Sequence, residues 1–210
     1  MSARDLDERP LQFMGDLSHL EEHGHSHRSL TWWGLMGLIC VEGMALGLAA
    51  VAYLYLSSHE QQWPPAHLLL PSVGWGTAFT VIILLSYVPN MVLDKRAQQE
   101  KLGPTRFWLV VMTLIGFVLV VIRYFEFRSV HVAWSDSAYG SAVIVLLGLH
   151  TVHLVTDLYD SVVLTVLMFT RHGDTGRRYV DVAENAIYWN FVIYVWLPIY
   201  ALLYLAPRWL

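Results

Sequence analysis

Long apolar stretches separated by short polar ones dominate the chain. Leu68 to Leu93 and Asn185 to Pro207 contain no Asp, Glu, Lys or Arg at all. Leu30 to Ser58 is interrupted by one acid, Glu42, and Phe107 to Phe127 stays apolar until Arg123 and Glu126. Ser137 to Thr170 carries His150, His153, Asp157 and Asp160 in its middle. Crossing about 30 Å of hydrocarbon takes roughly 20 mostly apolar residues in a helix, so each run is long enough to span. The runs are continuous and do not alternate, which excludes a membrane barrel, and isolated strands would leave backbone groups unpaired in lipid. The pattern predicts an all-α integral membrane bundle of five transmembrane helices, over about 30–57, 67–93, 107–127, 137–170 and 185–206. Pro71, Pro89 and Pro198 fall inside these spans, where proline kinks a helix or marks its end.

Composition agrees and narrows the class. Of 210 residues, 56% are hydrophobic and 14% charged, with a mean hydropathy of +0.46. A disordered chain, a disulfide-built module and an ordinary cytosolic enzyme are excluded. Cys40, the single cysteine, has no internal partner. The net charge of -4 and the lack of a basic surface argue against nucleic acid as a partner.

Charge placement sets the expected orientation. Residues 1–29 form a polar arm rich in His and acids, with no apolar core of the signal-peptide kind, and 30–210 form the membrane domain. Arg4, Arg9 and Arg28, then Lys95, Arg96, Lys101 and Arg106, then Arg171, Arg177 and Arg178 fall on one side of a five-span topology. They are ten of the 13 cations. Because positive residues stay inside, the amino terminus is expected in the cytoplasm and the carboxyl terminus outside. Trp32, Trp33 and Trp108 would then mark the inner interface, and Trp63, Trp134 and Trp209 the outer one. No repeat of fixed period is visible.

Ionisable residues inside a span are costly and mark function or specific packing. His150, His153, Asp157 and Asp160 recur every three or four residues, which places them on one stripe of one helix. Two imidazoles at i and i+3 suit a metal or haem site, or else helix packing through hydrogen bonds; the pair lacks a defined third and fourth ligand. Asp157 and Asp160 suit a proton-accessible or subunit-contacting patch, or a helix end open to water. Glu42 is either a proton-relay acid or a structural hydrogen-bond donor. Arg123 and Glu126 are one turn apart, and an internal ion pair is their expected use. In the arm, His19, His23, His25 and His27 among Glu21 and Glu22 could hold a transition metal weakly, though without rigid spacing. Walker loops, G-x-S-x-G, H-E-x-x-H and a dinucleotide fingerprint are missing, so no catalytic residue is nominated.

Several stretches together resemble one family. Leu38 to Tyr53 with its Glu42, Trp63-Pro64-Pro65, Ser135 to Ser141, Gly148-Leu149-His150-Thr151-Val152-His153, and Tyr188-Trp189-Asn190-Phe191-Val192 with Trp196 follow one another in order. This set is similar to subunit III of the haem-copper oxidases (cytochrome c oxidase subunit III), in its five-helix bacterial form. Asp157 and Asp160 are not typical of that family, and two further departures mark a divergent member. The last helix usually reads Trp-His-Phe-Val-Asp, where this chain has Asn190 and Ile193, and Pro89-Asn90-Met91 lacks histidines common there. The resemblance implies a subunit with no cofactor of its own and no catalytic residues. It would lie against catalytic subunit I, which carries haem and copper, and beside other oxidase subunits. Lipids would occupy a cleft between helices, with Gly34, Gly37, Gly43 and Gly47 allowing close packing there. Proton uptake, oxygen access and durability of the complex are the functions implied, in a bacterial cytoplasmic membrane. A subunit III-like component of a nitric oxide reductase is the alternative; a stand-alone haem cytochrome using His150 and His153, or a proton-coupled metal transporter, are the other classes.

Overall fold

A computed structural model describes residues 30–60, 62–65, 71–135, 137–170 and 173–209. All regular structure among them is helical: α1 (Leu30–His59), α2 (Val73–Leu85), α3 (Tyr87–Gln98), α4 (Leu102–Ser129), α5 (Ala138–Met168) and α6 (Gly176–Tyr200). A π-helical turn (Ala201–Leu205) and a last α-helical turn, α7 (Ala206–Trp209), continue the axis of α6. Taking α2 with α3 and α6 with its continuation, five helices are long and apolar enough to cross a membrane. They run up and down. The start of α1 meets the start of α6 through Thr31 and Glu184 (2.8 Å), and the start of α4 meets the end of α5 through Arg106 and the Met168 carbonyl (2.7 Å). At the opposite end Arg208 reaches the Pro71 carbonyl (2.8 Å).

Three helix boundaries differ from the apolar runs, each for a local reason. The second span begins at Val73, so Pro71 lies outside it, and it breaks at Ser86. Pro89 has no N–H to give to a carbonyl four residues back, and restarting the helix at Tyr87 places it in a first turn, where none is needed. The third span begins at Leu102, five residues earlier than the apolar run, with Pro104 likewise in its first turn. The fifth begins at Gly176 and not at 185. Arg177, Arg178, Asp181 and Glu184 interrupt the apolar run but not the helix, because Tyr179, Val180, Val182 and Ala183 between them are buried. Pro198 lies inside α6, and the wider π-helical turn follows it directly.

The core lies between α4, α5, α6 and the α2–α3 pair. Trp196, Phe79, Leu119, Leu147 and Ile193 are each no more than 1% exposed there. Two hydroxyls inside it bond back to their own helices, Thr113 to Leu109 (2.9 Å) and Thr80 to Gly76 (2.7 Å), so neither adds an unpaired donor. Gly116 lets α4 and α5 close together, since a Cβ there would stand 2.9 Å from Leu158 Cδ1. By contrast α1 is peripheral. Only 6% of its apolar core stretch is buried, against 33–44% in the other four spans. Gly34, Gly37 and Gly47 face open space, so of the four glycines expected to pack closely only Gly43 meets a neighbour, Phe191. Val41, Leu48, Val51 and Tyr55 on α1, and Phe107, Leu114, Phe117 and Val121 on α4, form an exposed apolar exterior. An exterior of this kind suits lipid or partner helices and not water.

Candidate functional site

Arg123 is the centre of a sealed polar network. It projects from α4 with 1% of its side chain exposed, and Nη1 donates to Glu126 Oε2, one turn on, at 2.6 Å. Nη2 faces His150 Nδ1 on α5 at 3.0 Å, and His150 Nε2 faces the Val192 carbonyl on α6 at 3.1 Å. A guanidinium only donates and a carbonyl only accepts, which fixes His150 as the neutral Nε2–H tautomer. Tyr204, delivered inward by the π-helical turn, donates its hydroxyl to Glu126. The flat guanidinium lies against two adjoining rings: its Cζ is 3.7 Å from the centre of Phe79 and 4.2 Å from that of Trp196, and the ring centres are 4.8 Å from each other. Aromatic faces carry negative potential, so they compensate part of the lost hydration, by about 2 kcal/mol when desolvated. Trp196 is itself anchored through Nε1 to Thr80 (2.8 Å). One link runs unbroken from α6 through α5 and α4 and back to the end of α6.

A second polar group faces outward. Glu42, about half-way along α1, accepts from the Tyr188 hydroxyl at 2.7 Å and lies 3.5 Å from His153 Nε2. One to two turns further along α5, Asn185 of α6 gives its amide to two carboxylates, Asp157 Oδ1 at 3.3 Å and Asp160 Oδ2 at 3.2 Å. Ser161 donates to the Asn185 amide oxygen (3.2 Å). Glu42, Asp157 and Asp160 line one cavity of about 600 Å³ between α1, α5 and α6, with Leu38, Leu164 and Leu167 forming apolar wall.

The stripe on α5 is therefore divided. His150 belongs to the sealed α4–α6 interior, His153 joins Glu42, and Asp157 and Asp160 share Asn185. The two histidines do not converge on a common point as ligands would, because both ring nitrogens of His150 are already engaged. Haem or metal held by the pair does not fit this geometry. Among the described residues no three His, Cys, Asp or Glu side chains are arranged to hold a metal ion. The sequence does not single out Tyr204 and Asn185 as polar partners, and Tyr188 enters only through the resemblance; a tyrosine hydroxyl in an apolar run needs a buried partner, and that need is the available signal. The histidine arm of residues 1–29, together with His67, Asp136, Arg171 and His172, lies outside the described residues.

The positions that depart from the resemblance meet each other. Asn90 on α3 donates through Nδ2 to Asn190 Oδ1 on α6 at 3.0 Å and to the Ala186 carbonyl at 2.8 Å. A pair of short amides fills the place, and the Asn90 amide group gives both of its hydrogens to α6.

Comparison with known proteins points one way. The family model described as cytochrome c oxidase subunit III matches residues 43–208. A cytochrome c oxidase subunit 3 from Thermostichus vulcanus is 23% identical over 193 residues, covering 89% of this chain and 92% of that protein. A cytochrome bo(3) ubiquinol oxidase subunit 3 from Pseudomonas aeruginosa is 24% identical over 195 residues, covering 90% and 91%. A probable cytochrome c oxidase subunit 3 from Nocardia farcinica is 25% identical over 160 residues, covering 75% and 78%.

Proposed function

The chain belongs to the cytochrome c oxidase subunit III family, and from that membership we propose that it is a non-catalytic accessory subunit of a respiratory haem-copper terminal oxidase. The observation that carries this reading is the match of nearly the whole membrane domain to relatives named for oxidases with different electron donors. A subunit common to both kinds serves something they share, and donor choice is not among its tasks. In this reading the haem and copper belong to catalytic subunit I, against which the exposed apolar exterior packs, with other oxidase subunits and phospholipid covering the rest. His150 supports it, since its ring is committed to holding helices together.

The apolar exterior of α1 and α4 supports a place for phospholipid chains, and the cavity between α1 and the α5–α6 pair, lined by Glu42, Asp157 and Asp160, is left to polar guests. The same reading places the chain in a bacterial cytoplasmic membrane with the start of α1 at the cytoplasmic face, in line with the distribution of Lys and Arg. Stability of the complex, oxygen access and proton uptake are the services proposed. Mild detergent extraction followed by mass spectrometry of the intact complex tests this. A large haem-bearing, copper-bearing partner is expected alongside retained lipid; isolation without such a partner overturns the reading, and nitric oxide reduction by the complex would reassign it.

A further inference from the structure

We propose that Asp157 and Asp160, bridged by Asn185, form a proton-binding site that opens into the cavity between α1, α5 and α6. Asn185 has one amide group, and it serves both carboxylates, at 3.3 and 3.2 Å. Asp157 is 1% exposed, and its second oxygen, Oδ2, has no hydrogen-bond partner. A buried carboxylate oxygen facing no donor is among the costliest arrangements a protein can hold. An O–H bond on that oxygen removes the charge and supplies a donor in one step.

Among the described residues the charged groups around the cavity are mostly acids. From α1 the cavity is faced by Glu42, and from α5 by Asp160, with His153 a turn away on Glu42. From α6 it is faced by Arg178, Asp181, Glu184 and the Tyr188 hydroxyl. Arg178 is the one cation among the described residues of that lining, and it is already paired with Asp181 at 2.9 Å. The Tyr188 proton is already given to Glu42. Glu42, Asp157 and Asp160 repel one another and attract protons to the cavity.

The geometry also supplies an entry. Asp160 is exposed, and Asp157 lies one turn deeper, about 16 Å along α5 from its carboxyl-terminal end. A proton arriving from water at Asp160 breaks its bond there and forms one at Asp157 Oδ2; no electron is transferred and nothing else is consumed. The site deepens the accessory role proposed above by giving the subunit a proton store beside the bilayer.

Infrared difference spectroscopy of the purified complex tests the site. At neutral pH the wild-type complex is expected to show a carboxylic-acid C=O band that shifts in D2O. Asp157→Asn should lose that band, and Asp157→Glu, which keeps a carboxyl in place, should move it. A band unchanged in either variant overturns the proposal, so it stays decidable if one of them fails to assemble. The haem absorption of the same preparation reports on the oxidase reading separately: a band without haem leaves the proton site and sinks that reading, and haem without the band does the reverse.

Discussion

Arg123 and Glu126 sit 2.6 Å apart with 1% and 0% of their side chains exposed, so neither charge has access to solvent. Such a pair does not have to add stability over an apolar pair of the same shape, because desolvation offsets the attraction. Its loss in halves is a different matter. Glu126→Gln or Arg123→Met leaves one buried charge uncompensated, and each is expected to destabilise the chain by about 3–5 kcal/mol. The double variant should lose clearly less than the two singles added. Retention of the subunit in detergent-solubilised complex over a denaturant series measures the cycle, and strict additivity would show that the two charges do not depend on each other.

His150 carries a second expectation. With Arg123 donating to Nδ1 and Nε2 donating to the Val192 carbonyl, its ring is a neutral connector between three helices. Nitrogen-15 NMR of histidine-labelled complex should show an Nε2-protonated neutral ring that disappears in His150→Ala. That variant should also loosen the bundle and leave the haem absorption of the complex unchanged. Loss of a haem signal in proportion to the substitution would make the residue a ligand after all.

How much of this was legible in the sequence follows from the range of each interaction. The five spans could be read because a charge-free run of bilayer length has few other uses. The start of α6 was misplaced for the same reason: Arg177, Arg178, Asp181 and Glu184 end an apolar run, yet a helix can turn them to one side while Tyr179, Val182 and Ala183 pack on the other. The Arg123–Glu126 pair is local and its spacing announces it. Their partners are not local. His150 is 27 positions from Arg123, and Tyr204 is 78 from Glu126. Nothing in either segment alone specifies that they meet. The meeting of Asn90 with Asn190 was hidden in the same way, since each reads as a missing histidine until the two helices are placed together.

Glycine placement gives a paired test. A Cβ on Gly76 would come within 2.5–2.8 Å of the Tyr204 ring, which occupies the space a side chain would need, whereas one on Gly34 would meet nothing within 4 Å. Gly76→Ala is expected to push Tyr204 off Glu126 and cost about 1–3 kcal/mol, as overpacking does. Adding Tyr204→Ala should relieve the steric part and leave only the lost hydroxyl bond. Gly34→Ala should raise the stability of the isolated chain by about 0.5–1 kcal/mol, the difference between the two residues in a helix interior. Thermal unfolding in detergent, followed by circular dichroism, distinguishes the two positions. A loss on Gly34→Ala that appears in the complex but not in the isolated chain would mark a partner helix on that face of α1.

The bond between Tyr188 and Glu42 joins α6 to α1, the least buried of the five spans. Only 6% of its apolar stretch is buried, and Gly34, Gly37 and Gly47 touch no neighbour. Gly43 against Phe191 and the 2.7 Å bond from the Tyr188 hydroxyl to Glu42 Oε2 are attachments near its middle. A hydrogen bond to a carboxylate contributes about 1.5–3 kcal/mol. In a well-packed helix such a loss would be spread over many contacts, but here it falls on one loosely held element. Tyr188→Phe, which keeps the ring and removes the hydroxyl, should therefore raise hydrogen exchange in α1 about 10-fold or more, a factor that 1.5 kcal/mol already gives. Exchange in α4, tied in by Arg123, should not change. If α1 and α4 respond equally, the two polar groups form one cooperative unit, and the separation between a sealed core network and an outward-facing one is wrong.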